Sequence, residues 1–214
     1  MMGPSDNGST ATWLVRWLLG IQSLASGLNW WVKILPFPNI HEPVTGPVKH
    51  EILRVMVDSG WMFTTTKVIE LLLGLALILN RQAVLMLVVA FPVMLMTFLL
   101  DFFPFARNIG PFLSGHLSGA AFLHSLLDML YFGAGVFVMQ AYLMSAFFDD
   151  YRALFAVRPG GAPAGWSRLF EAGWLRMLLL WLSLTVGASS TVWIVGMALG
   201  WIPWSSLALL APPR

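Results

Sequence analysis

The sequence predicts an all-α membrane protein: a four-helix transmembrane bundle followed by a fifth, C-terminal transmembrane helix. Three observations carry this prediction. The chain is 58% hydrophobic and only 10% charged, too little charge to cover a water-soluble protein of 214 residues. Five stretches reach the roughly 20 mostly apolar residues needed to cross a bilayer. Trp13, Trp17, Trp30, Trp31, Trp61, Trp174, Trp201 and Trp204 fall at or near the ends of those stretches, where an amphipathic indole prefers the headgroup level.

Residues 1–12 form a polar N-terminal tail without Lys or Arg. The apolar run after it ends in Trp30 and Trp31 rather than a small-residue cleavage motif, so span one, 13–32, reads as a retained helix and not a signal peptide. Pro36, Pro38, Pro43, Gly46 and Pro47 then break the chain. From His50 to Trp61, Ile52, Leu53, Val55, Met56 and Val57 alternate with Glu51, Arg54 and Asp58, the pattern of an interfacial helix closing the extramembrane segment 33–61.

Span two, 62–80, meets span three, 83–101, through a short turn at Asn80, Arg81 and Gln82, which makes the two antiparallel neighbours. Pro104, Gly110, Pro111, Gly115 and Gly119 predict a partly re-entrant loop before span four, 119–146. The bundle thus occupies 13–148. A polar linker, 149–175, carries Arg152, Arg158, a Pro-Gly-Gly-Ala-Pro run at 159–163 and Arg168. Span five runs over 176–199, within a C-terminal segment 176–200, and a tail follows at 201–214.

Orientation rests on the Lys/Arg bias of the loops. With the N-terminus inside, the cytoplasmic side receives Arg16, Arg81, Arg152, Arg158, Arg168 and Arg176, and the far side Lys33, Lys49, Arg54, Arg107 and Arg214. The expectation is a multi-pass protein of the bacterial inner membrane with a cytoplasmic N-terminus.

Several chemistries are excluded or disfavoured. A net charge of +2 without a Lys/Arg stripe argues against nucleic acid. Without cysteine there is no disulfide, thiolate zinc site, iron–sulfur ligation or thiol redox chemistry. His41, Glu42, His50 and Glu51 are metal-type ligands, but their proline-interrupted spacing does not match HExxH, and no metal site is expected. No phosphate loop, dinucleotide fingerprint or nucleophile elbow is present.

Attention therefore falls on ionisable residues inside the spans. Lys67 and Glu70 lie one helical turn apart in span two, His124 and Asp128 one turn apart in span four, and Asp101 ends span three. An ionisable side chain near a bilayer centre costs about 2.5–3.5 kcal/mol on insertion scales, so such groups face a protein interior or a watery cavity. At about 1.5 Å per residue, Lys67, Glu70, His124 and Asp128 lie roughly 8–14 Å below one face. Spans two and four should turn toward each other, with Lys67 contacting Asp128 or Glu70, and His124 contacting Asp128 or another carboxylate. Such a cluster serves either to fix helix pairing, or as a proton relay, quinone headgroup pocket or small-substrate site. A further reading makes His124 an axial ligand to haem or a chlorophyll-type pigment, oriented by Asp128.

Span five differs. It has no ionisable residue from Met177 to Leu199, places Trp181 and Trp193 mid-helix, and carries Gly196-x-x-x-Gly200, small residues suited to close helix packing.

The second-span stretch Lys67-Val-Ile-Glu70-Leu-Leu-Leu-Gly74-Leu with Leu79-Asn80-Arg81 behind it, preceded by Arg16, Leu19-Gly20, Ser26-Gly27 and Ser59-Gly60 and followed by Pro92 and Asp101, resembles the DoxX-like family of small bacterial membrane proteins over residues 12–146. The resemblance implies a four-helix transmembrane bundle and an association with quinone-linked thiosulfate oxidation or with redox and thiol homeostasis. Two departures, the added fifth span and the lack of cysteine, count against carrying oxidoreductase activity over.

The function expected first is a non-catalytic accessory subunit of a larger bacterial membrane complex of the respiratory or photosynthetic electron-transfer kind. It would dock on other integral membrane subunits through the fifth helix, with lipid, quinone or a pigment at its periphery. The alternatives are a quinone-linked oxidoreductase subunit, using Lys67, Glu70, His124 and Asp128 to bind the headgroup and move protons, and a small-solute or proton transporter using the same residues.

Overall fold

A computed structural model of the chain describes residues 10–33, 47–148, 150–151 and 173–201, and every regular element among them is helical. The order is α1 (Thr10–Val32), α2 (Pro47–Asp58), α3 (Met62–Leu79), α4 (Ala83–Leu113), α5 (Gly119–Asp128), a π-helical segment (Met129–Ala134), α6 (Gly135–Ala146), α7 (Gly173–Leu182), a second π-helical segment (Ser183–Gly187) and α8 (Ala188–Ala198). The two tails and the linker fall mostly outside the described residues.

Among the described residues, four helical runs are long and apolar enough to cross a membrane: Met62–Leu79, Ala83–Leu113, Gly119–Ala146 and Gly173–Val192. The expected span one is not among them. Helix α1 has the length, 23 residues, but Thr12, Arg16, Gln22, Ser23 and Asn29 dilute its apolar character. Thr12, Gln22, Ser23 and Asn29 are buried in the bundle, so α1 is amphipathic toward its neighbours rather than uniformly apolar.

A second difference concerns the loop expected after residue 101. Helix α4 continues through Pro104 and Pro111 to Leu113, 31 residues in all. That is roughly 46 Å at 1.5 Å per residue, longer than the ~30 Å hydrocarbon core. Each proline removes one backbone hydrogen bond, and the twelve- and seven-residue intervals between Pro92, Pro104 and Pro111 leave complete turns intact. Only Ser114 to Ser118 form the connection, with Gly115 at φ +75° and the Ser118 hydroxyl accepting the Ala121 N–H at 3.3 Å to start α5.

The shorter turns follow their residues closely. Between α2 and α3, Gly60 takes φ +74°, while the Ser59 hydroxyl donates to the Met56 carbonyl (2.6 Å) and accepts the Met62 N–H (3.1 Å). Between α3 and α4, Asn80 and Gln82 take left-handed φ of 53° and 58°, and the Arg81 N–H bonds the Ala76 carbonyl at 3.0 Å.

Helix α3 packs chiefly on α1, and less extensively on α4 and α2. The cause is a seam of glycines. A Cβ on Gly27 would lie 2.7 Å from the Leu71 backbone N, one on Gly74 2.6 Å from the Leu24 backbone N, and one on Gly20 3.0 Å from Ile78. Backbones this close leave no room for a side chain, as at small-residue crossings of membrane helices. Around the seam, Leu19, Leu73, Leu77, Leu87, Met139 and Leu143 are fully buried and join α1, α3, α4 and α6 into one core.

The C-terminal helical run docks on that core. Gly187 lies against Met139, whose Sδ would stand 2.5 Å from an added Cβ. The buried Gln22 amide nitrogen of α1, with two N–H bonds to give, lies within hydrogen-bonding distance of the Gly187 carbonyl (3.1 Å), the Ser190 hydroxyl (2.6 Å) and the Thr191 hydroxyl (2.5 Å). Gly196 and Gly200, expected to form a packing motif, do not share one helix face. Gly196 is buried in α8, but Gly200 is exposed beyond the helix end at φ +73°, and the Trp201 N–H closes on the Gly196 carbonyl at 2.8 Å. This is a glycine helix stop, the Schellman arrangement. The close-packing glycine of this run is Gly187.

Because the Gly74 contact is with backbone, it cannot relax by a rotamer change. Gly74→Ala should destabilise the bundle by about 1–3 kcal/mol, read as a lowered melting temperature in detergent, whereas Gly110→Ala, in open space on α4, should not lower it.

Candidate functional site

The ionisable residues inside the helices occupy two separate interfaces. At the α1–α3 seam, the Lys67 ammonium donates to Glu70 Oε2 at 2.8 Å and to the Ser26 hydroxyl at 2.9 Å, and lies 5.2 Å from the centre of the Phe63 ring. Phe63 in turn meets Trp30 of α1 edge-on, with ring centres 4.9 Å apart. Both charged residues are buried, and the pair is an i, i+3 bridge along α3 with its remaining contact across the seam. Of the two acids expected as partners for Lys67, the structure pairs it with Glu70.

The second group lies where α4 packs on span four. Phe98, Asp101, Phe105, Asn108 and Phe112 recur at alternating three- and four-residue intervals and so share one face of α4. Phe98 stacks on Phe137 (4.8 Å), Phe105 and Phe112 pack on Phe122 (5.6 and 4.2 Å), and the Asn108 amide bonds the Ser125 hydroxyl at 3.0 Å. This antiparallel register brings Asp101 against Gly133, where an added Cβ would lie 2.9 Å from Asp101 Oδ2. Asp128 stands at the last position of α5, just before the π-helical segment that carries Gly133.

The counterion of this group is Lys49. It reaches from α2 to make an ion pair and hydrogen bond with Asp101 Oδ1. Its side chain is 17% exposed, whereas that of Asp101 is 0% exposed. Among the described residues, Lys49 and Asp101 are the charged groups near enough to act on Asp128. Two oxygens in the group, Asp101 Oδ2 and Asp128 Oδ1, are buried without a hydrogen-bond partner among the described residues.

The expected single cluster is therefore divided. Lys67 and Glu70 lie on α3 and face α1, whereas Asp101 and Asp128 lie on α4 and α5. The expected pairing of spans two and four gives way to two other pairings, α3 with α1 and span four with α4, because glycines draw the first pair together and stacked phenylalanines the second. His124 lies in α5, and its side chain is outside the described residues, as are His41, Glu42 and the His50 side chain. Glu51 is exposed and pairs with Arg54 at 3.3 Å.

Sequence reasoning missed Lys49, Ser26, Gln22 and Gly133 as members of the polar interior. For Lys49 a signal existed: the loop between spans one and two, and the end of span three, lie on one membrane face in any alternating topology, which puts Lys49 within reach of Asp101. Comparison with protein-family models, curated proteins and solved structures finds no match for this chain.

Removing Lys67 would strand Glu70 as an unpaired buried charge. Lys67→Met should cost about 3–5 kcal/mol and lower the melting temperature accordingly. The double variant Lys67→Met/Glu70→Leu should recover most of that loss, which a thermal-unfolding double-mutant cycle in detergent would measure.

Proposed function

We propose that this chain is a non-catalytic accessory subunit of a larger bacterial inner-membrane assembly, of the respiratory or photosynthetic electron-transfer kind, with its N-terminus in the cytoplasm. The observation that carries this reading is the two-sidedness of the C-terminal helical run. Its inner face is bonded to this chain's own bundle through Gly187, Ser190 and Thr191. Its outer face leaves Trp174, Leu178, Trp181 and Val192 exposed on a helical stripe. Trp181 lies roughly 12 Å into the helix by its 1.5 Å rise, deeper than the headgroup belt where a lipid-facing indole settles. A broad indole at that depth suits a neighbouring helix, a quinone or a pigment.

The fate of Lys67 and Glu70 supports the same reading. Their charges and donors are engaged with each other and with Ser26, which is how polar groups act when they hold helices together. The resemblance to the DoxX-like family over residues 12–146 belongs to this proposal, as a helical bundle adapted to docking by an added C-terminal run rather than to thiol chemistry.

A photo-crosslinking residue placed at Trp181 should trap one membrane subunit of an electron-transfer assembly in native membranes, and the same residue at exposed Leu72 of α3 should not. The chain should also co-migrate with that subunit in mild detergent. A monodisperse monomer from native membranes, with no adduct from position 181, would overturn the reading.

A further inference from the structure

We propose that Lys49, Asp101 and Asp128 form a binding site for one monovalent cation, H⁺ or Na⁺, in which the Lys49 ammonium is the built-in competitor of that cation. The inference is independent of the accessory-subunit reading. It begins with a charge count. Among the described residues, two carboxylates from α4 and α5 are accompanied by one ammonium from α2, so with both acids ionised the group carries one negative charge more than it balances. In apolar surroundings an excess charge of this kind draws a counter-charge strongly.

The second observation is positional. Asp101 Oδ2 and Asp128 Oδ1 are both buried without a hydrogen-bond partner among the described residues, and the residues themselves are 2% and 5% exposed. A carboxylate oxygen accepts and cannot donate, so an unmet oxygen beside a second carboxylate calls for a proton or a small cation. Asp101 Oδ2 is turned toward Gly133, where the side chain is a hydrogen atom and any larger residue would fill the space. The π-helical segment from Met129 to Ala134 supplies that position directly after Asp128.

Lys49 stands between this group and the outside. It alone of the three is partly exposed, and it is carried by α2, an amphipathic helix whose Val55, Glu51 and Arg54 face outward. Helix α2 touches the rest of the bundle mainly through α3, and reaches α4 through the Lys49–Asp101 pair. When a cation binds between the carboxylates, the Lys49–Asp101 bond is no longer needed to balance Asp101, and the ammonium is released toward water. Among the described side chains, the charged groups facing the carboxylates are Lys49 from α2, Asp101 from α4 and Asp128 from α5; the side chain of His124, one turn before Asp128, lies outside them.

The test uses the full chain purified in mild detergent, titrated with sodium chloride against choline chloride at equal ionic strength, and separately with acid. Sodium binding is read from ²³Na line broadening and melting temperature, and proton exchange from a pH electrode in weak buffer. Lys49→Gln keeps both carboxylates and sits on the rim helix. It should bind the cation at least about tenfold more tightly than the wild type, because the buried partner charge is gone. Lys49→Gln/Asp128→Asn should lose that gain. A sodium response accompanied by proton release identifies Na⁺ as an occupant; uptake of one proton without a sodium response identifies H⁺. If Lys49→Gln neither binds sodium nor takes up a proton more readily than the wild type, the proposal is overturned.

Discussion

A charged side chain surrounded by apolar groups must be neutralised by another side chain or displaced to water, and the arrangement of this bundle follows from how that requirement is met. At the α1–α3 seam it is met locally. Lys67 and Glu70 are one turn apart on the same helix, so their bond forms with α3 itself, and Ser26 then ties the pair to α1. The bond to Ser26 demands close approach, and Gly20, Gly27 and Gly74 permit it by leaving backbone against backbone. The crossing in turn keeps the ion pair away from lipid, where an exposed charge would be costly.

The second interface solves the same problem differently. Asp101 has no base on its own helix face, and its counter-charge comes from α2, a helix that lies before α3 in the chain. Stacked aromatic rings at Phe98–Phe137 and Phe112–Phe122 fix α4 against span four on either side of the acids, so the carboxylates cannot slide apart to reach water. The result is a sealed pair with one lysine at its rim. Among the described residues, a fully paired seam and an incompletely paired one thus coexist in a small bundle.

Much of the fold was legible because the signals are local. The Asn80–Arg81–Gln82 turn lies where turn chemistry put it, whereas the amphipathic helix expected from His50 to Trp61 runs over Pro47–Asp58, because the chain turns at Gly60 with φ +74° before Trp61. Two readings misled for identifiable reasons. Pro104 and Pro111 look like loop punctuation, yet a proline removes only one hydrogen bond from an already long helix, and α4 continues through both. Gly196 and Gly200 look like a packing motif, yet Gly200 is the residue at which the helix stops. The glycines that do bring helices together, Gly27 and Gly74, lie on different segments, and no spacing within one helix connects them.

By itself the amino-acid sequence determined a chain of apolar helices with charges inside them, because length, hydropathy and turn chemistry act within a few residues. It also determined that Lys67 and Glu70 could meet, since one helical turn brings them together whatever surrounds them. Only the tertiary structure decided that α3 pairs with α1 rather than with span four, that Lys49 answers Asp101 from 52 residues away, and that Gln22 holds the C-terminal run. Those choices turn on which backbones approach closely enough for short polar side chains to bond, and close approach depends on two surfaces at once.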